Sequence, residues 1–202
     1  MKAASNKKYA ECKSPWSQDQ YIKVYIFAAK AHEKKNQKVP GTNLPYIVHI
    51  NLVSMEIMAA LTVEHNLDGD LAVQCALLHD TIEDAGVSYT ELKDEFGMEV
   101  VDGVQALTKN DDLKKEDRMK DSLERIKQQP NEIWMVKMAD RITNLQPPPK
   151  DWDNEKKIKY LDQARLIHDE LKDASQYLAT RLKDKIENYR SYIGETEQMG
   201  TG

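Results

Sequence analysis

Ala76-Leu77-Leu78-His79-Asp80-Thr81-Ile82-Glu83-Asp84 is the stretch around which the whole chain can be interpreted. It places an imidazole and three carboxylates directly after an apolar run. Charged groups are rarely buried unless they are paired or coordinate a metal. In a helix over residues 70–84, the His–Asp pair and the Glu–Asp pair would lie one turn apart on the same face. The pattern indicates a metal site with acidic groups beside it. A solvent-exposed helix end is the alternative that this stretch alone leaves open.

Two distant segments favour the metal site. His49 follows Pro45-Tyr46-Ile47-Val48, and Asp140 lies in the largely apolar segment 136–145. The candidate ligands His49, His79, Asp80 and Asp140 therefore occur in the order H…HD…D, each in or beside a stretch that we expect to be buried. This order resembles that of the HD-domain metal-dependent phosphohydrolases.

The resemblance becomes narrower when the flanking residues are included. The segments 28–32, 44–49, 76–84 and 136–145 are similar to the hydrolase half of RelA/SpoT proteins, over roughly residues 17 to 150. Glu83-Asp84 after the HD pair is the specific part of this match. The length of the match leads us to expect a stand-alone small alarmone hydrolase, of the group that includes the metazoan SpoT homologue.

The donor set restricts the metal and the chemistry. Imidazole and carboxylate ligands without a thiolate suit Mn²⁺, Fe²⁺ or Zn²⁺, and the resemblance implies a single Mn²⁺. Glu83 and Asp84 are the candidate catalytic residues. We expect one of them to orient and deprotonate the attacking water, and the other to hydrogen-bond this water or protonate the leaving oxygen.

A polyphosphate substrate also needs positive charge, and the candidate substrate-binding residues are Lys38, Lys137, Arg141 and Asn144. On a helix, Asn144 shares a face with Asp140, and the resemblance implies that this Asn contacts the nucleotide. Members of the family usually carry an Arg-Lys pair where this chain has Gln37-Lys38, so one basic residue is missing.

A second group of basic residues lies between the HD stretch and Asp140. These residues could add to a phosphate-binding rim, but a charge run of this kind is usually a solvated helix face, and we favour that interpretation. The group consists of Lys109, Lys114, Lys115 and Arg118.

These patterns predict a metal-dependent pyrophosphohydrolase that removes the 3′-pyrophosphate from a guanosine or adenosine alarmone such as ppGpp or ppApp, the signal of the stringent response. Two alternatives stay open. One is another HD-domain phosphohydrolase, such as a 5′-nucleotidase. The other is a non-catalytic helical module that binds a partner. The sequence does not distinguish guanine from adenine.

Composition restricts the class of protein further. The net charge of −5 disfavours a general nucleic-acid binder. Cys12 and Cys75 are far apart, which excludes a disulfide framework and suits a reducing compartment. Residues 1 to 15 lack a signal-peptide core, and no stretch has the roughly 20 apolar residues needed to span a bilayer. We therefore expect a cytoplasmic protein that binds neither nucleic acid nor membrane.

Helical periodicity runs through most of the chain and predicts an all-α fold, the HD-domain helical bundle. We expect an N-terminal extension (1–16), a single hydrolase domain (17–193) and a disordered tail (194–202). The residues from Tyr160 to Ile193 could form a homodimer contact, but we favour a role in covering the core. The first predicted helix begins after a cap at Ser17, and another begins after a cap at Ser88. The remaining predicted helices are 47–61, 70–84, 98–107, 113–128, 131–145 and 154–192, the last with a break near Asp173.

Overall fold

The computed structural model describes residues 14–194, and within that range the protein is all-α, as predicted. The only β-type pairing among these residues is an isolated bridge between Lys38 and Pro45. The α-helices are α1 (Gln18–Lys34), α2 (Ile47–Leu61), α3 (Gly69–Leu78), α4 (Tyr89–Phe96), α5 (Met98–Leu107), α6 (Arg118–Ile126), α7 (Asn131–Asn144), α8 (Asn154–Leu171) and α9 (Gln176–Tyr189).

Side-chain caps fix where several of these helices begin. Such a cap satisfies a backbone N–H that has no partner within the helix. Ser17 accepts from the backbone N–H of Gln20, and Ser88 accepts from that of Glu91, as their sequence spacing predicts. Asp68, Asp153 and Ser175 cap α3, α8 and α9 in the same way.

Helix α3 lies at the centre of the bundle and brings the HD stretch into the interior. It packs against α1, α2, α5 and α7. Leu77 and Leu78 at its end are fully buried. A helix that is apolar nearly all round belongs in such a position. His79 therefore follows the central helix directly, where other helices surround it.

The predicted helix over residues 70–84 is wrong in its second half, because α3 ends at Leu78. Side chains bind the carbonyl groups that would continue it: Thr81 donates to Leu78 O at 2.7 Å, and His79 Nδ1 lies 2.9 Å from Ala76 O. Residues 79–85 form turns, and Gly86, with φ +71°, redirects the chain. Glu83 and Asp84 therefore do not lie one helical turn after His79 and Asp80 on a shared helix face.

The other predicted helices agree more closely with the structure. The bounds of α2 and α5 are those predicted, whereas α6 begins at Arg118 instead of residue 113. The last region breaks at a short 3₁₀ helix, Lys172–Ala174, which includes the predicted position Asp173. Most of its apolar residues at helical spacing are buried in contacts of α8 and α9 with each other and with α7, which confirms that the region covers the core.

Among residues 14–194, no helix has the length and apolar character that crossing a membrane requires. Most of the predicted N-terminal extension, Cys12 and nearly all of the predicted tail lie outside the described residues.

Candidate metal centre and its cavity

Three helices bring three of the predicted ligands together. His49 lies in the first turn of α2, His79 follows α3, and Asp140 lies on α7. One donor atom from each of these residues lies within 4.8 Å of the other two. Residues that are far apart in the sequence therefore form one compact donor cluster of two imidazoles and a carboxylate.

The histidines are oriented by contacts of their other ring nitrogen. His79 Nδ1 contacts Ala76 O at 2.9 Å, and His49 Nδ1 lies 3.4 Å from Thr143 Oγ1. The Nε2 atoms of both rings are buried, and neither has a hydrogen-bond partner in the described part of the chain. Metal-binding histidines typically show this arrangement, with one nitrogen held by the protein and the other free for the ion. The residues present therefore fit a divalent metal.

Asp80 lies beside the triad. Its Oδ2 atom is 2.9 Å from His79 Nε2 and 3.8 Å from His49 Nε2, but the first contact lacks the alignment of a hydrogen bond. The same oxygen accepts a hydrogen bond from the Tyr46 hydroxyl at 2.5 Å. Asp80, the fourth predicted ligand, therefore lies near both imidazoles and is held by the Tyr46 hydroxyl.

The electrostatics of the cluster favour a cation. Burial opposes the charged imidazolium, but Asp80 and Asp140 outweigh it and raise the pKa of His79 to about 9. Burial also opposes ionisation of Asp140, yet Lys137 and the two imidazoles hold the pKa of Asp140 well below its usual range. Two negative carboxylates next to buried imidazoles attract a proton or, in its place, a metal ion.

The two predicted catalytic carboxylates have different partners. Glu83 forms an ion pair with Lys109 Nζ and accepts the Lys109 backbone N–H at 3.1 Å. Asp84 accepts from the Gln37 side-chain amide at 2.9 Å. Burial and the neighbouring Asp80 carboxylate raise the pKa of Asp84, which favours its protonated form. One acidic group faces an ammonium, and the other faces a neutral amide.

Both carboxylates open onto a cavity of about 460 Å³ beside the donor cluster. This volume is within the range of small-molecule sites. The predicted residues Lys137, Arg141 and Asn144 line the cavity, whereas Lys38 lies outside it in a neighbouring depression. Lys137 and Asn144 also contact the Asp140 carboxylate, at 3.4 and 2.5 Å.

Arg141 is the most unusual cation in the cavity wall. Its side chain is buried, with 5% of the residue exposed. The Nε and Nη1 atoms find no hydrogen-bond partner among residues 14–194, and the guanidinium lies 4.3 Å from the centre of the Tyr160 ring. A buried guanidinium with unsatisfied donors is a site for an anion, because leaving it unpaired is unfavourable.

Sequence reasoning missed several lining residues. The sequence favours a solvated helix face over a phosphate-binding rim for Lys109, Lys115 and Arg118, but all three line the cavity, and the first two precede α6. Tyr46, adjacent to the apolar segment before His49, carried a usable signal because a buried hydroxyl needs a partner. Gln37 had no comparable signal, since its contact with Asp84 spans 47 residues of sequence.

Comparison with known proteins identifies the family of the chain. A sequence model described as an HD domain matches residues 25–183. The mouse protein named guanosine-3′,5′-bis(diphosphate) 3′-pyrophosphohydrolase MESH1 is 30% identical over 173 residues, which cover 83% of this chain and 93% of the mouse protein. The Drosophila melanogaster protein of the same name is 25% identical over 177 residues, covering 86% of this chain and 96% of that protein.

A solved structure supports the same fold. It is described as a metazoan orthologue of SpoT that hydrolyses ppGpp, and it matches with a TM-score of 0.72 and 24% identity. The match covers 88% of this chain and 99% of that structure. At this level of identity the likeness establishes the helical architecture. Together with the sequence matches, it confirms the resemblance predicted from the HD and Glu-Asp pairs.

Proposed function

The chain belongs to the HD-domain family, and on this basis we propose that it is a metal-dependent pyrophosphohydrolase. Its substrate would be a guanosine or adenosine alarmone, from which it removes the 3′-pyrophosphate. Water attacks the phosphorus that is bonded to the ribose 3′ oxygen, and the bond between this phosphorus and the 3′ oxygen breaks. The products are pyrophosphate and a nucleotide with a free 3′-hydroxyl. The similar mouse and fly proteins carry the name of this activity.

One observation carries the proposal: the cavity joins the donor cluster to a buried guanidinium, two of whose nitrogens have no hydrogen-bond partner within residues 14–194. His79 and Asp140 form one part of its wall and Arg141 another, with Lys115 adding positive charge, whereas Asp111 balances the charge of Arg118. A metal and several cations around one cavity suit a substrate with more than one phosphate group, because each phosphate can contact a different positive group.

We propose that Mn²⁺ occupies the donor cluster, with Fe²⁺ and Zn²⁺ as the alternatives that the nitrogen and oxygen donors also allow. His49, His79 and Asp140 would hold the ion, and Asp80 would complete the set. When bound there, a divalent ion would lower the pKa of a water molecule and polarise a phosphoryl group.

The partners of the two carboxylates support separate roles for them. Glu83 is ion-paired with Lys109, so it is suited to accept a proton from the attacking water. Asp84 has a raised pKa and is suited to carry a proton for the ribose 3′ oxygen as that oxygen leaves. The proton that Glu83 takes from water is thus balanced by the proton that Asp84 gives to the leaving oxygen.

We assign substrate binding to Arg141, Asn144 and Lys137, with Lys38 contacting a part of the nucleotide beyond the main cavity. The Nε and Nη1 donors of Arg141, which have no partner in the described part of the chain, are suited to phosphate oxygens. Lys137 and Asn144 both contact Asp140, so their positions link the substrate site to the metal cluster. Lys38 is exposed in the adjoining depression, which shares Tyr46 with the cavity.

Two expectations from the sequence complete the proposal. We propose that residues 17–193 act as one hydrolase domain and that the protein works in the cytoplasm. The nucleotide would be its partner, and nothing in the function needs a nucleic acid or a membrane.

The decisive experiment incubates the purified protein with Mn²⁺ and with guanosine and adenosine 3′-pyrophosphates or 5′-monophosphates, and separates the products by ion exchange. We expect intact pyrophosphate from the first class and little action on the second. Orthophosphate from the monophosphates, with both 3′-pyrophosphates untouched, would replace the proposal with a 5′-nucleotidase. No turnover of either class by metal-loaded protein would favour a non-catalytic module.

A further inference from the structure

Three side chains from separate segments form a hydrogen-bonded chain at the edge of the cavity. His32 lies in the last turn of α1, Gln37 in the loop that follows, and Asp84 at the end of the HD stretch. His32 Nδ1 lies 2.6 Å from Gln37 Oε1. Gln37 Nε2 donates to Asp84 Oδ2 at 2.9 Å. The amide therefore connects a buried imidazole to an acidic side chain of the cavity.

The chemistry of the three groups fixes the direction of this chain. Asp84 Oδ2 accepts the amide NH₂, as it can even when the other carboxyl oxygen of Asp84 carries a proton, so the amide carbonyl faces His32. His32 must then carry a proton on Nδ1. Burial lowers the pKa of His32, which favours the neutral ring with this single proton. His32 Nε2 is buried and has no hydrogen-bond partner among the residues that the structure describes.

The backbone holds Gln37 in place as firmly as its side chain does. Its N–H donates to His32 O at 3.2 Å, and its carbonyl accepts from Tyr46 N at 3.1 Å. Asn36 has a φ of +49°, a left-handed conformation that reverses the chain so that Gln37 returns to the end of α1. Gln37 is therefore fixed before any ligand binds.

The same loop also orients Asp80, another acidic residue of the cavity. The Tyr46 ring lies 4.9 Å from the His32 ring, and its hydroxyl donates to Asp80. Tyr46 and Gln37 are joined through their backbones, so each end of the loop holds one carboxylate. Displacing either contact would change the position of an acidic group that faces the cavity.

From this geometry we infer that Gln37 is a positioning residue for the hydrolysis, and that it acts by holding Asp84 through a link anchored at His32. The kinetic part of this inference rests on the function proposed above, in which Asp84 protonates the leaving oxygen. Gln37 itself need not touch the substrate. Its effect should therefore disappear when Asp84 no longer carries a proton for the reaction.

A double-mutant cycle tests the inference. Gln37→Leu keeps a similar volume but removes both the donor and the acceptor. We expect kcat for pyrophosphate release to fall by about tenfold or more, since a misplaced catalytic group loses rate while KM changes little. In an Asp84→Asn background, the same substitution should lower kcat by less than about twofold, because coupled residues are not additive.

The matched control is Gln20→Leu, a glutamine exposed near the start of α1, which should leave kcat unchanged. Equal losses from Gln37→Leu in both backgrounds would overturn the inference, because they would indicate general damage to the fold. A rise in KM with kcat unchanged would overturn it as well, since that pattern marks a residue that binds substrate directly.

A second measurement is independent of turnover. ¹⁵N NMR of the wild-type protein should find His32 protonated at Nδ1, and Asp84→Ala should shift the side-chain NH₂ resonance of Gln37. A proton on Nε2 alone, or an unchanged amide resonance, would overturn the link. If wild-type protein released no pyrophosphate, the proposed function would fail, whereas the NMR result would still decide whether the link exists.

Discussion

At the scale of single residues, the two acidic groups beside the donor cluster differ in what balances their charge. Glu83 is held twice by Lys109, through its ammonium and its backbone N–H. Asp84 is held by the neutral amide of Gln37, and its pKa is raised by burial and by Asp80. This difference lets one carboxylate accept a proton while the other keeps one, although both follow the same turn.

Glu83→Gln tests the role of the ion-paired carboxylate. The amide keeps the shape but cannot take a proton, so we expect kcat to fall by roughly 10²–10⁴ while metal and substrate binding persist. Steady-state kinetics and elemental analysis on the same samples measure both quantities. Glu95→Gln is the matched control, because Glu95 is ion-paired with Lys23 at 2.9 Å on the surface. Near-normal turnover by Glu83→Gln would mean that another group takes the proton.

The sequence predicted the residues of the donor cluster but not the contacts around them. His49, His79 and Asp140 stood out because each is a polar residue in or beside an apolar segment, and such residues need a reason to be buried. Lys109 and Gln37 did not stand out in this way, because both lie in loops of ordinary polar composition, where a polar residue needs no explanation. Only the packing of the helices brings these loops to the acidic pair.

At the scale of helices, one ion pair joins two elements that are far apart in sequence. Glu56 on α2 is buried, and Arg181 on α9 donates to both of its carboxylate oxygens, one of them at 2.7 Å. This contact fastens the last helix to the helix that carries His49. A buried carboxylate without its partner strongly disfavours the folded state.

Arg181→Ala should lower the free energy of unfolding by about 2–3 kcal/mol, less than for a fully buried pair because the arginine side chain is 41% exposed. Urea unfolding of the metal-free protein gives this value. Arg165→Ala removes an exposed pair with Asp162 and should change stability by at most about 0.5 kcal/mol. Similar small losses in both variants would show that the contact between α2 and α9 adds little.

Helix boundaries were predictable where local signals agree. Ser88 and Glu91 mark the start of α4 through a cap that is written in the sequence. The end of α3 was not predictable in this way, because apolar periodicity continues through Ile82. The helix ends earlier, where Thr81 and His79 side chains contact the carbonyl groups of Leu78 and Ala76. A side chain that competes for a backbone carbonyl leaves the periodicity of the sequence unchanged.

At the scale of the whole molecule, the donor cluster links folding to metal binding. Its ligands come from α2, the end of α3 and α7, so a bound ion would join elements of the core that separate on unfolding. In the metal-free protein a proton on His79 takes the place of the ion, because the pKa of His79 is raised to about 9. A group with a raised pKa stabilises the folded state below its unfolded pKa of about 6.5. This contribution is lost as the pH rises through about 9.

Metal and proton should therefore compete, and the stabilisation by Mn²⁺ should increase as the pH rises from about 6.5 toward 9. At a concentration about 100 times its dissociation constant, the ion should add roughly 2.7 kcal/mol to the free energy of unfolding. Thermal unfolding with and without Mn²⁺ across this pH range measures the effect.

His79→Ala should abolish the stabilisation by Mn²⁺ together with the bound metal, whereas His168→Ala, which alters a histidine paired with Asp169, should retain both. Unchanged metal content in His79→Ala would contradict the assignment of the site, and a stabilisation that does not vary with pH would contradict the competition with a proton.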